Sequence, residues 1–172
     1  DSCLVEKGID SKLLTIGDRN ALMISIRITG YGPEYPVTST CTHCGHSNDI
    51  VIDLGSLAIK RLDIEPVAKG ENLFEFQLPV TKKTVHFKYT TMKDEREYAT
   101  RSKQMKKHLK DFFNSSITDS LDMMIQSIDG ITDKNKLKHF ILNMPAFDSR
   151  SLRNYIRAHE PGMDMSIQHK CD

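Results

Sequence analysis

The stretch that most constrains this chain is Cys41-Thr-His-Cys44-Gly-His, set between two segments that read as strands. Residues 35–41 lead into it and Asn48-Asp-Ile-Val-Ile-Asp-Leu54 follows it, so the two cysteines lie at the tip of a β-hairpin. A Cys-x-x-Cys pair followed by glycine is half of a zinc site, a redox dithiol or a small disulfide, and each needs partners elsewhere. Two thiolates three apart in a tight turn can bind one tetrahedral metal ion, and Gly45 gives the turn room to curl around it. No βαβ pattern of the thioredoxin kind surrounds the motif, which weakens the redox reading. An unmetallated turn stays open as an alternative. With cysteines at positions 3, 41, 44 and 171 of 172 residues, the chain is too poor in them for a secreted disulfide scaffold. A reducing cytoplasmic setting fits better.

A recurrence elsewhere in the chain bears on the missing partners. Asp18-Arg-Asn-Ala-Leu to Cys41 and Asp148-Ser-Arg-Ser-Leu to Cys171 align without a gap. Asp18 falls on Asp148, Leu22 on Leu152, Ile26 on Ile156, Arg27 on Arg157, Gly32 on Gly162 and Cys41 on Cys171. Each segment reads as a capped helix, a Gly/Pro turn, a short strand and then a cysteine. On this reading Cys41, Cys44 and Cys171 are metal ligands, and the partner of Cys44 falls at position 174, just past Asp172. The complete site is a four-cysteine zinc ribbon, closed to solvent and therefore structural.

The remaining organisation follows from periodicity. A helix is expected from Asp18, with Leu22, Met23 and Ile26 as its apolar stripe and Gly30 and Gly32 at its end. Residues 73–78 and 84–90 alternate polar and apolar side chains, with Val85, Phe87 and Tyr89 on one face, and form a second hairpin. The segment from Thr91 onward has a threonine cap, acidic residues in its first turn and basic ones near its end, as a helix dipole favours. Further helices are expected at 117–127, 133–143 and 148–159, with Gly130 and Pro145 as breaks, and a strand at 165–170 leading into Cys171. The fold class is α+β. Two related halves, residues 1–70 and 71–172, each combine a short antiparallel hairpin with helices and are joined by the ribbon-like cysteine site.

Composition narrows the function. Apolar residues make up 38% and charged residues 27% of the chain, and the formal net charge is +1, so no bulk field draws it to nucleic acid or membranes. The longest apolar runs are short and interrupted by Arg27, so none spans a bilayer. No Gly-rich phosphate loop, nucleophile elbow or His-Glu-x-x-His occurs, and the acidic group Asp94, Glu95, Glu97 is explained by helix capping. His43, His46 and His169 flank the cysteines and read as solvated turn residues, while Cys3 reads as a small buried one. Arg27 and Arg157 read as partners of carboxylates or helix-end carbonyls, and the basic run 101–110 as a solvated helix face. The chain is read as not an enzyme, with no small-molecule substrate. A zinc-ribbon adaptor for nucleic acid is the alternative, but the segment after the knuckle is acidic where that role needs a basic, aromatic face.

These residues also carry a family resemblance. Residues 2–45, with Gly17-Asp-Arg-Asn-Ala-Leu22, Gly30-Tyr-Gly32 and Cys41-Thr-His-Cys44-Gly45, resemble the baseplate proteins of T4-like contractile-tailed phages. Leu78-Pro-Val-Thr-Lys-Lys-Thr-Val-His-Phe87 with Asp94-Glu95, and the closing stretch 147–171, are similar to further elements of that group. Its members are described as baseplate hub subunits or hub assembly chaperones. The resemblance implies a strand and helix before Asp1 and a short extension after Asp172 that completes a second Cys-x-x-Cys. It also implies a non-enzymatic role in building or forming the baseplate, in contact with tail proteins such as the hub and the tape-measure protein. The expected location is the virion tail, or the host cytoplasm during assembly.

Overall fold

The computed structural model describes residues 10–108 and 116–168, with side chains at 10–100 and 118–168. Its elements are helices α1 (Ile16–Tyr31), α2 (Met92–His108), α3 (Ser116–Met124), α4 (Lys134–Leu142) and α5 (Ala146–His159). The strands are β1 (Glu34–Thr40), β2 (Ser47–Asp53), β3 (Ile59–Lys60), β4 (Phe74–Gln77), β5 (Thr84–Phe87), β6 (Ile125–Ile128) and β7 (Gly162–Met163). They form three antiparallel sheets, β1-β2, β3-β7 and β4-β5-β6. The chain is α+β, built of antiparallel hairpins and helices. Its two compact units interleave in sequence. One holds Leu62–Glu160 with the described residues up to Ile16, and the other holds Gly17–Arg61 with those from Pro161 onward.

The first unit owns the core. In β5 the period-2 pattern turns Val85 and Phe87 inward, and Tyr89 continues the same face beyond the strand. Phe74 pairs across the ladder with Phe87, and the rings of Phe74, Phe87 and Tyr89 lie 5.0 to 5.9 Å apart. Leu121, Ile125, Ile128, Leu137, Ile141, Leu152 and Ile156 close over this face from α3, β6, α4 and α5. Each such side chain contributes about 1.5–3 kcal/mol on burial.

Polar caps fix the elements around that core. Thr91 and Asp94 form a capping box at the start of α2: Thr91 N–H and Oγ1–H donate to the Asp94 carboxylate (3.0 and 2.7 Å), and Asp94 N–H donates back to Thr91 Oγ1 (3.3 Å). The Lys88 ammonium joins at 2.6 Å. Burial pushes the Asp94 carboxyl up, but Lys88 and the Thr91 hydrogen bonds outweigh it and hold it below its ordinary value. Asp133 caps α4 by accepting from Lys136 N–H at 2.9 Å.

Asp148 departs from the sequence reading. It sits in the first turn of α5, but Pro145 is the N-cap residue and makes no side-chain cap bond. The carboxylate instead leaves the helix and accepts from Val80 N–H (2.7 Å), Thr81 N–H (3.0 Å) and Thr81 Oγ1 (2.8 Å) in the β4–β5 turn. It is 0% exposed. Burial opposes its charge, and the bonds from Val80 and Thr81, with Lys82 nearby, outweigh that cost and hold its pKa below the ordinary carboxylate value.

Two further expectations need correction. The helix predicted at 117–127 stops at Met124, and residues 125–128 form β6, which pairs with β5. Apolar residues at 121, 124, 125 and 128 suit helical spacing, but the open edge of β5 gains ladder hydrogen bonds from a strand there. The strand predicted at 165–170 lies earlier: Gly162–Met163 pairs with Ile59–Lys60, and residues 165–168 are not strand.

In the second unit Arg27 ties α1 to β1. Its guanidinium donates to the carbonyls of Gly32 (3.0 Å) and Glu34 (3.2 Å) and lies 5.0 and 5.7 Å from the ring centres of Tyr31 and Tyr35. Gly17 touches the returning chain so closely that an added Cβ would stand 2.0 Å from the Pro161 carbonyl oxygen. A helix followed by a strand occurs in both α1–β1 and α5–β7, but β7 aligns with the turn residues 32–33 rather than with β1, and the environments differ. Leu22 and Ile26 are exposed where Leu152 and Ile156 are buried, and Arg27 is engaged where Arg157 is exposed.

Replacing Asp148 by alanine removes three hydrogen bonds to a charged acceptor and is expected to cost about 2–3 kcal/mol in urea unfolding. Because the folded-state pKa is depressed, the stabilisation is present above the unfolded value of about 4 and is lost as pH falls through the folded value. Asp148→Asn therefore shows a shallower loss of stability on acidification than the parent. Gly17→Ala is expected to lose about 1–3 kcal/mol by overpacking against Pro161, with faster proteolysis after residue 160.

Candidate functional site

The hairpin β1–β2 runs in unbroken register from Glu34↔Asp53 to Thr40↔Ser47 and delivers Cys41–His46 as its tip. Cys41 N–H donates to the His46 carbonyl (2.8 Å) and Gly45 N–H donates to the Cys41 carbonyl (2.9 Å), so the loop closes on itself. Gly45 has φ +74°, a left-handed conformation that β-carbon-bearing residues adopt at a cost. Below the tip Thr38 Oγ1 donates to the Asp49 carboxylate at 2.7 Å across the ladder.

The two thiols stand at either side of this turn and are not joined in a disulfide. Cys41 is half-buried and Cys44 exposed, with His43 and His46 also exposed. A two-thiol turn closed by backbone hydrogen bonds and a left-handed glycine suits two positions of a tetrahedral, sulfur-ligated zinc site. Among the described residues no group of three or more His, Cys, Asp or Glu side chains is placed to hold a metal ion. Cys3, His169 and Cys171 lie outside the described residues. The described residues 161–168, which lead toward Cys171, belong to the same compact unit as the knuckle.

One arrangement with chemical potential was not foreseen. On the face of the β4-β5-β6 sheet opposite the core, His86 Nδ1 lies 2.9 Å from Ser127 Oγ and His86 Nε2 lies 3.3 Å from the Glu75 carboxylate. Glu75 and His86 were visible as polar positions of alternating strands, but Ser127 was hidden within a segment read as helix. Ser127 is 8% exposed, so its hydroxyl serves cross-strand pairing rather than attack on a substrate. His159 makes a similar link to Asp63 at 2.7 Å. The acidic side chains of α2 act as first read: Asp94 caps the helix, and Glu95 and Glu97 are exposed. No described helix is long and apolar enough to cross a membrane.

Polar side chains such as Asp94 and Ser127 serve as helix caps and cross-strand partners, and the hairpin tip presents a pair of thiols. The chain matches the family described as T4 bacteriophage base plate protein over residues 1–172, and it belongs to that family. It is a structural protein of a T4-like phage baseplate, placed in the virion tail among other baseplate proteins. No curated protein and no solved structure matches it.

Gly45→Ala is expected to lower stability by about 1–2 kcal/mol through left-handed strain alone, since nothing lies within 4 Å of the added methyl group. Thermal unfolding of the metal-free protein measures this, and Gly45→Asn should recover part of the loss.

Proposed function

We propose that this baseplate protein is a hub or hub-proximal component that acts by protein–protein contact and carries a structural zinc. Cys41 and Cys44 supply one knuckle of the site. Cys171 and a further ligand beyond Asp172 supply the other. The observation that carries the metal reading is the two-thiol turn, supported by the return of residues 161–168 to the unit that bears it. Zinc bound by four thiolates has no open coordination position and serves only to cross-link the chain. That cross-link has a physical purpose here. Among its described residues the second unit fully buries Leu54 and Asn48 and leaves Leu22, Met23, Ile26, Tyr31 and Val51 exposed, so a cross-link there adds to a small hydrophobic core.

The hub position is supported by family membership together with the resemblance of the N-terminal, hairpin and closing segments to hub subunits and hub chaperones. The hub and tape-measure proteins are the partners proposed. The protein reaches them in the host cytoplasm, where tails are built.

Full-length protein purified under reducing conditions is expected to contain one zinc per chain. The Cys41→Ser/Cys44→Ser variant should contain none and melt about 5 °C or more below the parent. Zinc-free parent protein overturns the metal reading. In isolated baseplates, an antibody label on this chain should fall on the central axis, and a peripheral label overturns the hub position.

A further inference from the structure

We infer that the outward face of α5 is a docking surface for an acidic protein segment that also presents an apolar pocket. The inference rests on membership in the baseplate family and not on zinc. From Lys134 to His159 the chain carries six Lys or Arg residues and one carboxylate, Asp148. That carboxylate is fully buried and committed to Val80 and Thr81. Between the capping residues Asp133 and Glu160 the exposed charges of the two helices are therefore cationic, in a chain whose formal net charge is only +1.

Leu137 and Ile141 of α4 and Leu152 and Ile156 of α5 enter the same core, so each helix turns its opposite face outward. On α5 that face is Phe147, Arg150, Asn154 and Arg157, spaced at helical repeat. On α4 it includes Lys134, Lys138 and Leu142. Among the described residues none of Lys134, Lys138, Arg150 and Arg157 has a carboxylate partner, whereas Lys83 and Lys88 are paired at 2.6 Å. Arg157 differs in this from Arg27, its counterpart in the sequence recurrence, whose guanidinium is consumed by local carbonyls and tyrosines.

Charge alone would suit any polyanion. Phe147 decides between them. It is 62% exposed and lies one helical turn before Arg150 on the same face of α5. An exposed aromatic beside an arginine that has no carboxylate partner matches the enrichment of aromatic residues and Arg at protein interfaces. A phosphate backbone or a lipid headgroup layer offers the charge, but a folded acidic protein offers charge and pocket together.

The test places p-benzoylphenylalanine at position 147 of the full chain. The protein is supplied in cells infected by phage whose own copy of the gene is interrupted. Irradiation is expected to cross-link it to a tail protein, within a segment richer in Asp and Glu than in Lys and Arg. Arg150→Glu/Arg157→Glu should reduce that adduct, and incorporation into sedimenting baseplates, about tenfold. Lys69→Glu/Lys93→Glu, an equal charge change on exposed residues elsewhere, should leave both unchanged. An unaltered melting temperature in each variant shows that the fold is intact. Reversing the acidic residues of the cross-linked segment to lysine should restore the Arg150→Glu/Arg157→Glu variant. Absence of a protein adduct, an adduct on nucleic acid, lipid or a basic segment, or indifference to Arg150→Glu/Arg157→Glu overturns the inference. The zinc content of the protein has no bearing on these readouts, so the two readings fail separately.

Discussion

The interaction on which the larger unit most depends is the link from the buried Asp148 carboxylate to the β4–β5 turn. A carboxylate sealed from water is costly unless its charge is matched by donors, and Val80, Thr81 and the threonine hydroxyl supply three. The contact joins residues 67 and 68 positions apart in sequence. It holds the start of α5 against the turn that sets the β4–β5 register. With α5 placed, Leu152 and Ile156 close the core from one side and Tyr155 stacks on Phe76 at 4.6 Å.

The smaller unit is organised on a different principle. It has a helix, a seven-pair hairpin and little buried apolar surface, so packing contributes less and specific local contacts contribute more. Arg27 satisfies two carbonyls at the helix end while lying near two tyrosine rings, and Gly17 admits the returning chain at backbone distance. A covalent-strength metal cross-link near the hairpin tip would supply the rigidity that a core supplies in the other unit. Exposed apolar residues in such a unit suit a protein whose working state is an assembly.

The two hairpins were legible because period-2 alternation around short polar turns leaves few other readings. Val85, Phe87 and Tyr89 share the face assigned to them. The Thr91 cap of α2 was legible too, since a threonine followed three residues later by an acid satisfies free helix N–H groups locally. Residues 125–128 were misread because an apolar run ending a helix has the same spacing as an apolar strand, and only the free edge of β5 decides between them. Likewise Asp148 carries the signature of a helix first turn, and no local rule reveals that a turn far away in sequence needs its charge more.

The sequence by itself determined most of the local elements, the two-cysteine turn at the hairpin tip and the family to which the chain belongs, because these depend on neighbouring residues and on motif identity. Tertiary structure alone decided which unit owns the core, where Asp148 spends its charge, why Gly17 must lack a side chain, and which of the recurring arginines is left facing outward. Those outcomes depend on contacts between distant segments, whose energies are set by burial and hydrogen-bond matching once the chain has folded.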